Sequence, residues 1–261
     1  MTDHDRRGGI LVGGADDAKN VSVPAPDYDR RNFLASLAAS GIAALGAGCG
    51  WDGGRHLAPK LLSWSRVNDW VSARLFSSSR PAREYSIARR TRDAEFPAYF
   101  VSDSIPMLTD PAAWRLQVGG LVRKPVVLTL DRLQALPRLS YTVKHHCVEG
   151  WTAIATWTGV PLKVVAEMVE PLPAARYVKF TSFDAGYMNG WDLASAMHPQ
   201  TILAYAYNDR PLRPDHGAPL RLYSPTKLGY KNTKYLLAVE FTADRPGGYW
   251  EDQGYPWYGG L

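Results

Sequence analysis

The residues Tyr141-Thr142-Val143-Lys144-His145-His146-Cys147-Val148-Glu149-Gly150-Trp151 concentrate the reactive side chains of this chain. Cys147 is one of only two cysteines, and it follows two adjacent histidines. Three chemistries are open to it. A free cysteine is often a small buried hydrophobe with no reactive role. A thiol beside a histidine can be a nucleophile with an imidazole base. A thiolate can also be a metal ligand, and one sulfur with two imidazoles suits copper or zinc. Extended backbone weighs against the last two. His146 points to the opposite face from Cys147, and His145 is offset by roughly 7 Å at ~3.3 Å per residue. A single thiolate on a metal that brings its own further ligands fits this spacing better than a shared His-His-Cys ion.

A second constellation lies between Pro211 and Tyr235. Arg213, Arg221, Lys227, Lys231 and Lys234 alternate with Gly217, Gly229 and prolines, and Asn232-Thr233-Lys234 follows. Cations and glycines in a loop between strands can cradle a phosphate through fixed charge and backbone N–H groups. A solvated basic surface is the plainer alternative.

The elements that must position these groups read as α+β with a mixed sheet. Trp114–Val118 alternates as a strand before the Gly119-Gly120 turn, and Val126–Thr129 is a second strand. A short helix from Leu130 to Leu136 stops at Pro137. Leu139–Cys147 is extended, with Tyr141, Val143, His145 and Cys147 on one face. Helices are expected at Pro161–Glu170 and Trp191–Met197, the latter started by Asp192. Strands are expected at Arg176–Phe180, Thr201–Tyr207, Leu220–Tyr223 and Tyr235–Thr242. The Gly, Pro and aromatic tail from Pro246 to Gly260 is expected to wrap the surface.

Upstream, residues 1–50 read as a polar, disordered N-terminus followed by an export leader. Arg30-Arg31-Asn32-Phe33-Leu34 precedes an apolar, small-residue run from Ala35 to Gly48, the layout of a twin-arginine signal for folded export. Leu45-Gly46-Ala47-Gly48-Cys49 resembles a lipoprotein box, so a lipid on Cys49 or an uncleaved signal anchor is a second expectation. The location implied is the periplasm or the outer face of the membrane. Residues 51–94 form an amphipathic linker in which Leu57, Leu61, Leu62, Trp64, Val67, Trp70, Val71 and Leu75 recur near helical spacing. That helix is expected to pack on its own domain, with a membrane surface as the alternative. Residues 95–261 form the main domain.

The 261 residues carry a net charge of +5, 46% hydrophobic and 21% charged residues, as ordinary globular proteins do. The arginines are scattered and no nucleic-acid-binding motif appears, which argues against a nucleic-acid partner. Two cysteines make no disulfide framework. Nine tryptophans and fourteen tyrosines suit the walls of a cleft as well as a core.

The elements His146-Cys147-Val148-Glu149-Gly150-Trp151, Trp157-Thr158-Gly159-Val160-Pro161-Leu162, Gly217-Ala218-Pro219-Leu220-Arg221-Leu222 and Lys227-Leu228-Gly229-Tyr230-Lys231 occur in an order that resembles the sulfite-oxidase-type molybdopterin oxidoreductases. Within that family the chain is most similar to the exported bacterial branch that includes the periplasmic protein-methionine-sulfoxide reductase catalytic subunit. The resemblance covers roughly residues 95–258. It implies a sulfite-oxidase-like fold and molybdenum held by a pyranopterin dithiolene and by the thiolate of Cys147. It carries cofactor contacts onto Phe100, Val101, Ser182, His216, Arg221, Asn232, Thr233 and Lys234. His216 departs from the pattern of the reductase branch, where Asn is usual. His145, Glu149, Trp151, Tyr187 and Trp250 are candidates for the pocket wall.

The activity implied is oxygen-atom transfer, in the reductive direction on a small-molecule or protein-bound sulfoxide. Sulfite oxidation is the alternative within the family, with Arg92, Arg176 or Arg213 as candidate anion ligands. A non-enzymatic exported binding domain with an inert Cys147 is the alternative outside it. No Cys-x-x-Cys-His haem motif occurs, so electrons must pass through a partner, such as a membrane haem or quinone-linked protein.

Overall fold

The computed structural model describes Val67, residues 69–184 and residues 186–261. These belong to one compact unit. The twin-arginine run, Cys49 and the apolar residues from Leu57 to Trp64 lie outside the described residues.

Among the described residues, a helix over residues 69–75 precedes a body of two five-stranded sheets with three short helices. The first sheet has the order β2 (Val126–Leu128), β1 (Leu116–Gly120), β10 (Leu236–Thr242), β5 (Tyr177–Ser182) and β6 (Met188–Asp192). It is mixed, because β1 pairs with β10 in parallel while every other neighbour is antiparallel. The second sheet is antiparallel. It runs β3 (Leu139–His146), β4 (Thr152–Pro161), β7 (Ile202–Tyr207) and β8 (Arg210–Pro211), with β9 (Arg221–Tyr223) also paired to β7.

The helices are α1 (Leu130–Gln134), α2 (Leu162–Val169) and α3 (Leu193–Ala196). Each begins where the sequence can satisfy free N–H groups or pre-set the backbone. The Thr129 hydroxyl accepts from Arg132 N–H, Asp192 accepts from Ser195 N–H, and Pro161 stands before the first turn of α2. Burial alternates along β5, as the period-2 pattern requires.

Three strands were not legible: β4, β6 and the two-residue β8, which directly follows the turn residues Asn208 and Asp209. Central β4 is buried along most of its length, so Thr152–Pro161 lacks alternation. In β6, Asn189 and Gly190 look like turn residues, yet tertiary contacts hold them extended: Asn189 Nδ2 donates to Tyr230 O at 2.9 Å. Trp191 consequently lies within a strand that ends at Asp192, and the helix after it is only four residues long.

Two apolar clusters result. The larger lies between the sheets and under α1 and α2, around Leu116, Leu133, Val165, Phe180, Trp191, Leu222 and Phe241. The smaller is built on Phe96, Tyr141, Val143, Trp157, Tyr207 and Tyr223. Residues 82–92 hydrogen-bond to the second sheet, Tyr85 N–H to Thr142 O and Thr91 N–H to Ile154 O, both at 2.8 Å. This seats Phe96 in the smaller cluster, on the side of the sheet where the reactive residues gather.

Candidate active site

β3 ends at His146, and Cys147 opens the loop to β4. Its N–H donates to Trp151 O at 3.0 Å, and Gly150 N–H returns to Cys147 O at 3.2 Å. Gly150 takes a positive φ of 91°, which glycine adopts without the Cβ clash that other residues meet. The tight loop leaves the Cys147 thiol half-buried and free of any disulfide. Burial is the main effect holding it above its ordinary pKa, while the Glu149 N–H pulls the other way. Glu149 Oε2 lies 3.8 Å from Sγ and accepts from Trp151 Nε1 at 3.0 Å.

His145 lies back in the aromatic cluster, its ring 5.5 Å from Phe96, 5.7 Å from Trp151 and 5.9 Å from Tyr223. Burial first, then the Arg221 guanidinium, holds it well below its usual pKa, so it is neutral. Among the described residues no group of three or more His, Cys, Asp or Glu side chains could hold a metal ion. That removes the geometric basis for a His145-His146-Cys147 copper or zinc centre.

Cys147 opens into a cavity of about 280 Å³. Phe100, Val101, Ser182, His216, Arg221, Asn232 and Lys234 all line it, from segments more than a hundred residues apart in sequence. The wall candidates His145, Glu149, Trp151, Tyr187 and Trp250 line it too. Thr233 does not: it is fully buried, and its hydroxyl has no hydrogen-bond partner.

The basic loop divides. Arg221 Nη1 donates to His216 O at 3.0 Å and Nη2 to Asn232 O at 3.3 Å, and the guanidinium carbon lies 4.7 Å from the Trp157 ring. Its Nε is buried without a partner. Lys234 Nζ bridges Tyr99 O at 2.7 Å and Asp215 O at 2.8 Å. Burial, then Arg221, pushes its pKa down to about 7. The other three cations are engaged elsewhere. Lys227 donates to Tyr258 O, Lys231 to Gly190 O, Trp257 O and the Glu251 carboxylate, and Arg213 pairs with Asp215. Lys227 and Lys231 are ties within the fold, while Arg213 is exposed and pairs locally.

His216 stands in a 3-10 turn, Pro214–His216, stacked 4.7 Å from Tyr207. Burial and the Arg221 charge keep it neutral. Its Nε2 is buried without a partner. Asn232 is saturated: Oδ1 accepts from Ser224 N–H at 2.7 Å, and Nδ2 donates to Lys227 O and Leu228 O. Its amide therefore shapes the 224–228 loop.

Sequence reasoning did not single out Asp184. Its carboxylate accepts from Val101 N–H at 2.8 Å and from Ser102 N–H at 3.1 Å, and Ser182 Oγ accepts from its N–H at 2.9 Å. It thereby pins the Phe100–Val101 segment to the end of β5. The only local cue is the Ser-x-Asp spacing at a strand end, which many turns share. Arg92, Arg176 and Arg213 do not line the cavity: Arg92 pairs with Glu95, and Arg176 Nε donates to Ala243 O.

The site tests the cofactor the sequence implies. Three buried polar atoms on lining residues lack a partner: His216 Nε2, Arg221 Nε and the Tyr235 hydroxyl. Neither Arg221 nor Lys234 makes an ion pair among the described residues. Buried polar groups are ordinarily satisfied, so this set calls for an anionic, hydrogen-bonding ligand beside a lone thiol. A pyranopterin phosphate with a metal needing one thiolate meets that requirement.

A lone thiol beside cations and unpartnered buried polar atoms makes this cavity a cofactor-binding site. Residues 103–250 match the family model described as oxidoreductase molybdopterin binding domain. The chain belongs to that family, the sulfite-oxidase-type molybdopterin oxidoreductases. It is 41% identical over 245 residues to a protein of Azospira oryzae that bears the provisional name protein-methionine-sulfoxide reductase subunit YedZ1, covering 94% of this chain and 91% of that one. It is 32% identical over 162 residues to the protein-methionine-sulfoxide reductase catalytic subunit MsrP of Campylobacter jejuni, covering 56% of this chain and 54% of that one. Among solved structures, the sulfane dehydrogenase SoxCD of Paracoccus pantotrophus superposes with a TM-score of 0.51 at 23% identity, over 53% of this chain and 40% of that one. That likeness concerns the fold alone.

Proposed function

We propose that this chain reduces sulfoxides, methionine sulfoxide in proteins among them. The observation that carries this reading is the division of charge around the cavity. Arg221 and Lys234 line the cavity beside the unpaired polar atoms, and among the described residues no third arginine or lysine lines it. Sulfite is a dianion and needs cations of its own beside the metal. The other lining residues are largely aromatic: Phe96, Tyr99, Trp151, Tyr187, Trp250 and Tyr255. Such a wall suits a neutral thioether or sulfoxide, since sulfur packs well against ring edges.

In this reading Cys147 is the protein ligand to molybdenum. His216, Arg221 and Lys234, with Ser182 and the Phe100–Val101 segment, hold the pterin and its phosphate. Asn232 and Asp184 act one step back, by shaping the loops that carry these groups. The bound cofactor supplies two-electron oxygen-atom transfer. The aromatic residues bind the substrate's apolar arm and keep bulk water from the cavity. Overall, the sulfoxide takes up two electrons and two protons and leaves as thioether and water.

Export and the electron source belong to the same reading. Arg30-Arg31 and the apolar run after it support folded export by the twin-arginine route. A membrane haem or quinone-linked protein is the proposed electron donor.

The test uses chain made with its leader in cells competent for the cofactor. Molybdenum near one per chain, with dye-driven turnover of methionine sulfoxide, is the expected result. Molybdenum absent, or turnover only as sulfite oxidation, would overturn the reading.

A further inference from the structure

The helix at residues 69–75 is inside out. Asp69, Ser72 and Phe76 face the body, while Val67, Trp70, Val71, Arg74 and Leu75 are exposed. The spacing of the exposed set, i, i+3, i+4, i+7 and i+8, makes one continuous helical stripe. Trp70 is 63% exposed and Leu75 80%. The inner face is firmly seated: Asp69 Oδ2 accepts from Tyr258 N–H at 3.0 Å, and the Phe76 ring lies 5.8 Å from His198 and 6.0 Å from Tyr258. The outward stripe is therefore held in place by the rest of the molecule.

Charge indicates what covers it. From residue 66 to residue 83 the chain carries Arg66, Arg74, Arg80 and Arg83 against one acid, Asp69, which is tied to Tyr258. Arg74, Arg80 and Arg83 are exposed, and Arg74 lies over the Trp70 ring at 5.7 Å. An apolar stripe with Trp and Leu, rimmed by arginine, is the pattern of a helix lying in a bilayer interface rich in anionic lipid. Trp also suits the headgroup depth, where one end of the ring is wet. Among the described residues no helix is long and apolar enough to cross a membrane. The apolar run Ala35–Gly48 lies about twenty residues upstream, so the sequence places two membrane-seeking segments close together.

We infer that residues 67–75 form an interfacial helix that docks this enzyme, by Val67, Trp70, Val71 and Leu75, onto an anionic lipid surface. The inference stands apart from the cofactor reading, because none of these residues lines the cavity.

The full chain is mixed with protein-free vesicles of phosphatidylcholine, with and without phosphatidylglycerol, some carrying brominated acyl chains. Two results are expected. Brominated anionic vesicles quench a tryptophan component that Trp70→Phe removes. Leu75→Glu weakens partitioning into anionic vesicles by about tenfold while leaving dye-linked turnover unchanged. Equal partitioning with and without anionic lipid overturns the electrostatic part. Quenching that survives Trp70→Phe undiminished shows that this helix does not touch lipid. If Leu75→Glu instead dissolves a dimer, or vesicles change nothing because the chain's own N-terminal residues cover the stripe, the inference is wrong.

Discussion

Arg221 shows what a single buried cation does here. Its guanidinium holds the carbonyls of His216 and Asn232, and so joins the two loops that carry the polar end of the cavity. Arg221→Met leaves both carbonyls without their donor, so stability should fall by about 1–3 kcal/mol per stranded group, and molybdenum retention with it. Denaturant unfolding and metal analysis of the same preparation measure both. Cys147→Ala makes the opposite separation. The thiol is half-buried and makes no strong internal bond, so the melting temperature should barely move. Sulfoxide turnover should drop by more than ~100-fold, beyond what losing an outer-shell partner costs. Appreciable turnover in that variant would refute Cys147 as ligand. Residue types made Cys147 a candidate and gave Arg221 and Lys234 as two of five loop cations, while His216 came from the family resemblance. Residue types did not separate Asn232, whose amide is saturated by the 224–228 loop, from Lys234, which makes no ion pair among the described residues, or show that Thr233 does not line the cavity. Neighbours along a chain share composition but point in different directions.

At the scale of elements, the two motifs that looked remote touch through one glycine. A Cβ on Gly229 would lie 2.9 Å from His145 Nε2. The Gly229–Lys231 turn thus packs directly on the last residues of β3, and His145 has aromatic rings on its other sides. Gly229→Ala should destabilise by about 1–3 kcal/mol, as overpacking does, and lower turnover through the displaced end of β3. Thermal melts with steady-state kinetics check it; a variant as stable and active as the parent would mean that His145 is not confined. Gly217 plays a similar part beside Lys234, where a Cβ would meet the lysine Cβ at 2.8 Å and where φ is +100°. The helices α1 and α2 and the edge strands β2 and β3 were legible from periodicity and caps, whereas the edge strand β6 was not. Central β4 was not, because burial on both faces removes the alternation that marks a strand.

Across the whole molecule, the C-terminal segment closes the site. Residues 249–258 return to the cavity, where Trp250 and Tyr255 form part of its wall. The clamp is the pair Lys231–Glu251, with side chains 0% and 3% exposed. Lys231→Met leaves a buried carboxylate alone, so the cost should be about 3–5 kcal/mol. The double variant Lys231→Met/Glu251→Leu should recover much of that loss, since two apolar groups replace two charges. Denaturant midpoints, with limited proteolysis of the C-terminal residues, distinguish a loosened tail from global unfolding. No rescue in the double variant would show that the pair acts through something other than its charge.

Sequence alone determined that a lone thiol, a glycine-bearing turn and a cation-rich loop coexist, and the motifs that carry them occur in an order that resembles the molybdopterin oxidoreductases. Those are local facts, carried by residue type and spacing. Only the tertiary structure decided which cations serve the site. Lys227 and Lys231 are cations of the same loop as Arg221 and Lys234, but carbonyls and a carboxylate reached across the fold take them up, and Arg213 points out to pair with Asp215. Tertiary structure likewise turned the apolar stripe at residues 67–75 outward. The same periodicity suits a helix buried by its own domain and one buried by something else, and only the neighbours of Asp69 and Phe76 tell them apart.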